Sequence, residues 1–293
     1  MLTIEQLEVA FGEHKALSIQ TPVDIKAGDR IGIIGSNGAG KSTLVKAVLG
    51  LVKYKGSIRT NLSLREIAVH MQQNHYVKTM SVKHIMEAIL NTDIKQNKKL
   101  MELIDFFQFE GSLKKRFHTL SGGQQQRLTI ILVLMQDAPL TFFDEVTSGL
   151  DFETRQKLMG KITDWYQGKH TGLCVVSHYY DELERLVNKL LILDKGKLVD
   201  FGKAEDLFSK YCGRSIVTIE HTEESKALTK EYARIEAPQH LLAFPCRNNE
   251  EEWTFTKMFT EHNINYKRSN NDFEIMYVNA LKQFNSNNGG TGK

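Results

Sequence analysis

One stretch near the N-terminus decides the fold: Gly35-Ser36-Asn37-Gly38-Ala39-Gly40-Lys41-Ser42-Thr43. It satisfies the pattern G-x-x-x-x-G-K-[ST] in full. The apolar, β-branched residues 31–34 before it are typical of a buried strand, and the apolar spacing in residues 44–49 after it predicts a helix. The glycines are therefore predicted to form a loop that ends at the N-terminus of a helix.

A loop in this position is suited to binding phosphate. The backbone N–H groups of a first helical turn have no partner in the helix, and the helix dipole adds to their attraction for an anion. Glycines let the backbone approach the phosphates closely. Lys41 is predicted to reach the β- and γ-phosphates, and the Ser42 hydroxyl to ligate Mg²⁺. The alternative is a glycine-rich turn that binds nothing, which the strand–loop–helix context argues against.

Composition excludes several other classes. The chain has 293 residues, 41% of them hydrophobic and 25% charged, which is ordinary for a globular protein large enough for two domains. A formal net charge of +3 is too small to predict nucleic-acid binding. Cys174, Cys212 and Cys246 have no metal-ligand spacing, and the reducing cytosol is expected. The most apolar run, residues 128–135, is too short to span a membrane, so any membrane role is expected to need a partner.

Three further groups of residues follow the loop. The run Leu120-Ser121-Gly122-Gly123-Gln124 precedes a helical pattern and predicts a second helix N-terminus that can bind an anion. The apolar residues 140–143 lead to Asp144 and Glu145, and residues 173–177 lead to His178. Ligands bind where parallel strands end, so Asp144 is predicted to hold Mg²⁺ through water and Glu145 to orient or deprotonate an attacking water. The alternative for Asp144 and Glu145 is a solvated acidic turn. The alternative for His178 is a purely structural role.

The rest of the chain divides into three parts. Residues 80–113 form a helix-rich insert. After residue 211 the pattern predicts strands over 215–220, 240–244 and 273–278 and helices over 225–232 and 253–261, typical of a small α/β or α+β module. The polar residues 285–293 are predicted to be disordered.

Taken in this order, the motifs resemble those of ATP-binding cassette (ABC) ATPases over about residues 1–210. The resemblance implies an α/β fold class: a P-loop NTPase core with an antiparallel β subdomain and a helical insert at about 74–130, within a domain of residues 1–213. A small C-terminal α+β domain is expected over 214–284, followed by a disordered tail at 285–293.

The resemblance also implies a role for each motif. ATP and Mg²⁺ are the expected cofactors, with Phe11 stacking on adenine, residues 35–42 as the Walker A loop and Thr43 next to them in the nucleotide site. Asp144, Ser42 and Gln72 would bind the metal. Because Gln73 stands next to Gln72, the glutamine of the motif is either of these two residues. Lys41, Gln72, Glu145 and His178 are the expected catalytic residues. In a head-to-tail dimer, Ser121, Gly122, Gly123 and Gln124 of one subunit would close over ATP held by the other.

The implied function is the ATPase subunit of an export transporter, cytoplasmic and held at the inner face of the membrane by a separate permease. The partner cassette is a second copy or a related chain, and no nucleic acid is expected. The permease is expected beside the insert, near Tyr76, Val77, Met80, Ile85 and Met86, unless these residues form the core of the insert. The alternative is an ABC ATPase without a permease, acting on ribosomes, DNA or an assembly pathway.

Overall fold

The computed structural model describes residues 1–71 and 76–288. In this part of the chain one mixed sheet carries the N-terminal two-thirds, with the strand order β3-β1-β2-β10-β9-β4-β8-β7-β6 and β5 paired to β1. Its strands are β1 (Leu2–Phe11), β2 (His14–Ile19), β3 (Val23–Ile25), β4 (Arg30–Ile34), β5 (Lys55–Thr60), β6 (Ile67–His70), β7 (Leu140–Asp144), β8 (Gly172–Val176), β9 (Lys189–Asp194) and β10 (Lys197–Lys203).

The sheet has a parallel part and an antiparallel part. Strands β9, β4, β8, β7 and β6 are parallel neighbours, so their carboxyl ends meet at one edge. Strands β2, β3 and β5 pair antiparallel with β1. The parallel strands are buried on both faces: in β9, Leu190 and Ile192 join one hydrophobic cluster, and Leu191 and Leu193 join the other.

Helices cover both faces of the parallel strands. Helix α1 packs through Leu44, Val45 and Val48 on one face, whereas the core of the insert packs with Leu128 and Ile131 on the other. The helices of this part are α1 (Lys41–Val48), α2 (Val82–Leu90), α3 (Lys98–Phe106), α4 (Gly122–Met135), α5 (Phe152–Tyr166), α6 (Tyr180–Glu184) and α7 (Ala204–Cys212). The helix-rich insert is thus present between β6 and β7.

A second, three-stranded antiparallel sheet follows, in the order β12-β11-β13. We call residues 214–288 the C-terminal module. Its elements are β11 (Ser215–Glu220), α8 (Glu223–Leu228), β12 (Leu241–Cys246), α9 (Asn249–Glu261), β13 (Tyr266–Ser269) and α10 (Phe273–Asn288). A small cluster that includes Val217, Phe244 and Phe259 forms its own core.

The strand predicted over residues 273–278 is wrong, because these residues begin helix α10. Phe273, Met276, Tyr277 and Ala280 are buried, a spacing that belongs to one helix face. The Asp272 carboxylate accepts the backbone N–H of residue 275 at 3.0 Å and so caps the helix N-terminus. The helix also includes residues 285–288 of the predicted tail, whereas residues 289–293 lie outside the described part of the chain.

The C-terminal module packs directly on the N-terminal part of the chain, residues 1–213. Phe208 and Cys212 of α7 lie in the same hydrophobic cluster as Ile216, Phe273 and Met276 of the module. Burial of such side chains contributes roughly 25 cal/mol per Å² of apolar surface. The shared cluster therefore holds α10 against residues 1–213, where Tyr277 reaches Ser36 just after the end of β4.

Candidate functional site

The predicted phosphate loop joins the end of β4 to the start of α1. Two of its glycines are required by close packing. A Cβ atom at Gly35 would lie 2.3 Å from the carbonyl oxygen of Leu193, and one at Gly40 would lie 2.9 Å from the carbonyl oxygen of Ala16. Gly40 also has φ +99°, which side chains other than glycine rarely allow. The loop is thus held tightly over the strand ends.

Lys41 is almost fully buried beneath this loop. Its ammonium donates hydrogen bonds to the carbonyl oxygens of Gly35 at 2.7 Å and Ser36 at 3.0 Å. Burial lowers the pKa of Lys41, while the nearby carboxylates of Glu145 and Asp144 act in the opposite direction. The loop therefore carries a positive charge directly behind its backbone N–H groups, as an anion site requires.

A cleft of about 710 Å³ opens in front of the loop. It brings together most of the predicted site residues, and Phe11 stands at its edge with 54% of its surface exposed. Ser148 also lines it, as do His14 and Ala16, which no motif in the sequence marks. The lining residues are Phe11, His14, Ala16, Asn37, Gly38, Ala39, Gly40, Lys41, Ser42, Thr43, Glu145, Ser148 and His178.

Asp144 ends β7 and is buried below the cleft. Burial raises the pKa of its carboxyl group, an effect that the neighbouring Ser42 hydroxyl opposes. Within the described residues, neither carboxylate oxygen of Asp144 has a hydrogen bond of standard length and angle. A buried carboxylate without such partners is costly. Its oxygens, next to the Ser42 hydroxyl, are the kind of donors that a hard cation takes.

Glu145 and His178 meet at the ends of the neighbouring strands β7 and β8. The Oε1 atom of Glu145 lies 2.5 Å from Nε2 of His178. The Glu145 backbone has φ +51°, in the left-handed region, and its N–H donates to the carbonyl oxygen of Val176 at 3.0 Å. Such a conformation in a residue other than glycine is strained and is often found at active sites. Here it turns the Glu145 side chain into the cleft.

The buried carboxylate of Glu182 connects the loops that follow β7 and β8 by hydrogen bonds. Glu182 accepts hydrogen bonds from the hydroxyls of Ser177 at 2.9 Å and Thr147 at 3.1 Å. Its other oxygen lies 3.1 Å from Nε of Arg155. Burial raises the pKa of Glu182 to about 7. No sequence motif marks Glu182, because its partners come from three separate segments.

The second predicted helix N-terminus forms but does not face the cleft. Ser121 caps α4: its hydroxyl accepts the Gln124 N–H at 3.3 Å, and the Gln124 side chain accepts the Ser121 N–H at 3.1 Å. Gly123 lies beside Leu150, in a different cavity. None of the residues Ser121, Gly122, Gly123 and Gln124 lines the cleft in front of the phosphate loop of the same chain. The predicted metal and catalytic residue Gln72 lies outside the described residues.

Comparison with known proteins gives the family. The sequence profile of the ABC transporter family matches residues 20–148. The methionine import ATP-binding protein MetN of Clostridium tetani is 30% identical over 284 residues, which cover 91% of this chain and 86% of MetN. The chain belongs to the ABC transporter family. The resemblance and the fold class predicted from the motifs are thus confirmed, and this ABC chain is an ATP-binding, ATP-hydrolysing subunit.

Other relatives of this ABC ATPase have names that refer to different processes. The ATP-dependent lipid A-core flippase of Francisella novicida is 30% identical over 229 residues, which cover 71% of this chain but only 38% of the flippase. The linearmycin resistance ATP-binding protein LnrL of Bacillus subtilis is 27% identical over 237 residues, which cover 75% of this chain and 74% of LnrL.

Solved structures agree with the fold. An ATP-binding subunit of an ABC transporter superposes with a TM-score of 0.65 at 21% identity, covering 72% of this chain and 93% of that one. A bacterial ABC cassette solved as a dimer gives a TM-score of 0.62 at 23% identity, covering 69% of this chain and 98% of the cassette. At these identities the superpositions support the cassette fold. Within residues 1–71 and 76–288, no helix is both long and apolar enough to cross a membrane.

Proposed function

We propose that ATP hydrolysis by this chain drives export through a separate membrane permease, with two cassettes arranged head to tail around the nucleotide. The proposal rests on the observation that the motif residues lie in two different places on one chain. One cleft gathers Phe11, Lys41, Glu145 and His178, whereas Gly123, in the first turn of the helix that Ser121 caps, lines a different cavity. A second chain that supplies Ser121 to this cleft would complete the site.

ATP binding follows from the cleft's chemistry. The N–H groups at the start of α1 and the Lys41 ammonium would hold the β- and γ-phosphates. Phe11, exposed at the edge of the cleft, would stack on the adenine ring. The buried oxygens of Asp144, the Ser42 hydroxyl and Gln72 would hold Mg²⁺, which usually keeps a few protein oxygens together with water and phosphate. Bound there, Mg²⁺ would supply charge stabilisation at the phosphates.

Glu145 is the proposed general base. The attacking water would give a proton to a Glu145 carboxylate oxygen as its own oxygen bonds to the γ-phosphorus. The bond from that phosphorus to the β–γ bridging oxygen would break, leaving ADP and phosphate. His178, 2.5 Å from Oε1 of Glu145, would hold the carboxylate in position and contact the γ-phosphate.

Phe11 offers a direct test of nucleotide placement. We expect Phe11→Ala to weaken ATP binding by about 1–3 kcal/mol, the usual scale of base–aromatic stacking, while Phe11→Tyr retains the stacking surface. Calorimetric titration with ATP measures both variants against the parent protein. Equal affinities for all three proteins would mean that Phe11 is only an exposed loop side chain.

Fewer of the residues predicted to contact the permease are exposed than the sequence suggested. Ile85 and Met86 belong to the buried core of the insert, and Tyr76 packs on Phe117 and donates to the Thr129 hydroxyl at 3.1 Å. Val77 is 57% exposed. We therefore propose that the permease contacts the insert around Val77 and not through the buried residues predicted beside it.

Co-fractionation with the permease tests the proposed function. We expect Val77→Asp with Lys78→Glu to reduce membrane association when the neighbouring membrane protein is co-expressed, with ATP affinity unchanged. The same changes at exposed residues on another surface, Leu51→Asp with Lys53→Glu, are the matched control. If the parent protein stays wholly in the soluble fraction, the role on ribosomes, on DNA or in assembly is favoured instead.

The direction of transport needs its own test, because MetN is named for import and LnrL for resistance. We propose export. In inverted membrane vesicles, ATP added outside should drive cargo into the vesicle lumen; ATP-driven loss of preloaded cargo would indicate import.

A further inference from the structure

The last helix of the C-terminal module reaches the phosphate loop. Tyr277 of α10 is buried, and its hydroxyl oxygen accepts the backbone N–H of Ser36 at 3.0 Å. The two residues are 241 positions apart in the chain. A residue of the module thus touches the backbone of the loop that the motif analysis assigned wholly to the cassette.

The hydrogen bond to Tyr277 fixes the N–H of one peptide group, and the carbonyl oxygen of the same group accepts a hydrogen bond from Lys41. The N–H of Ser36 and the carbonyl of Gly35 belong to the same planar peptide unit. The carbonyl accepts the Lys41 ammonium at 2.7 Å while the N–H donates to Tyr277. Rotation of this peptide would therefore break both hydrogen bonds and turn the carbonyl away from Lys41.

Tyr277 is itself fixed by the segment that follows His178. Its ring packs on the ring of Tyr180, with centroids 5.8 Å apart, and the Phe273 N–H donates to the Glu184 carboxylate at 3.2 Å. Tyr180 and Glu184 both belong to α6. Helix α10 thus connects the phosphate loop to the segment after His178, with its position set by the shared hydrophobic cluster.

We propose that Tyr277 is a positioning residue of the ATP site: it orients the Gly35–Ser36 peptide and, through that peptide's carbonyl, the Lys41 ammonium. The C-terminal module would then be part of nucleotide binding, and its docking would raise the affinity for ATP. The inference rests on the ATP site proposed above and goes beyond it, because no loop motif includes Tyr277.

Tyr277→Phe tests this by removing one oxygen atom while leaving the packed ring. We expect KM for ATP to rise about 2- to 10-fold with kcat nearly unchanged, since the lost interaction is a single neutral hydrogen bond. The increase in Tm produced by saturating the parent protein with ATP should be smaller for the variant at the same ATP concentration. Tyr180→Phe is the matched control, since it removes the hydroxyl of the other ring in the pair.

The results for the two variants distinguish a positioning role of Tyr277 from a purely structural one. A raised KM in Tyr277→Phe alone supports the positioning role. A lower Tm without ATP and a lower kcat at unchanged KM would indicate only a structural role and overturn the proposal, as would equal effects of the two variants. If the parent protein binds ATP and Tyr277→Phe binds it equally well, this inference fails and the proposed function stands. If the parent protein itself does not bind ATP, the proposed function fails too.

Discussion

Replacing Lys41 by alanine is expected to remove nearly all measurable ATP binding. The ammonium is buried within the loop, close to the carboxylates of Asp144 and Glu145. Its loss would leave two carboxylates beside the phosphates without that positive charge. Hydrogen bonds to charged groups contribute about 1.5–3 kcal/mol each, so losing two phosphate contacts should lower affinity by about 10²-fold or more.

Calorimetric titration with Mg·ATP measures the loss. Lys46→Ala is the matched control, because Lys46 lies on the same helix and its side chain is exposed. A thermal unfolding scan checks that Lys41→Ala remains folded without its bonds to the loop carbonyls. Unchanged affinity in the folded variant would mean that this loop does not bind the nucleotide phosphates.

Glu145→Gln is expected to lower ATP hydrolysis by roughly 10²–10⁴-fold, the usual contribution of a general base, while ATP still binds. The amide keeps the shape of the side chain but cannot accept the proton of the attacking water. The steady-state rate of phosphate release measures the effect. Glu153→Gln is a matched control, since Glu153 is exposed on α5 and its one ion pair within the described part of the chain is with the exposed Lys157. Hydrolysis at the parent rate would disprove the assignment of Glu145.

Local patterns predicted the cassette well. The loop motif demands close backbone approach at Gly35 and Gly40, so it predicts backbone geometry as well as chemistry. Asp144 and His178 follow buried apolar runs, and parallel pairing of those strands brings their ends together. These features depend on residues that lie close in sequence or on a general rule of parallel sheets.

Other features depend on contacts that no local pattern reveals. Glu182 joins three separate segments, and Tyr277 meets Ser36 from the far end of the chain. The sequence pattern predicts a strand over residues 273–278, where helix α10 carries Tyr277, although the spacing of Phe273, Met276 and Ala280 fits a helix. A short apolar segment can match both periods, and here the cap at Asp272 and the shared hydrophobic cluster decide for the helix.

The arrangement of two cassettes around ATP is the central claim, and the mass of the Glu145→Gln variant in solution tests it most directly. Because this variant should bind ATP without hydrolysing it, light scattering after size exclusion should find a dimer with Mg·ATP and a monomer with ADP. Adding Ser121→Glu, which places a negative charge where the partner's γ-phosphate is expected, should prevent the dimer without preventing ATP binding. A Glu145→Gln chain that binds Mg·ATP yet remains monomeric would contradict the claim.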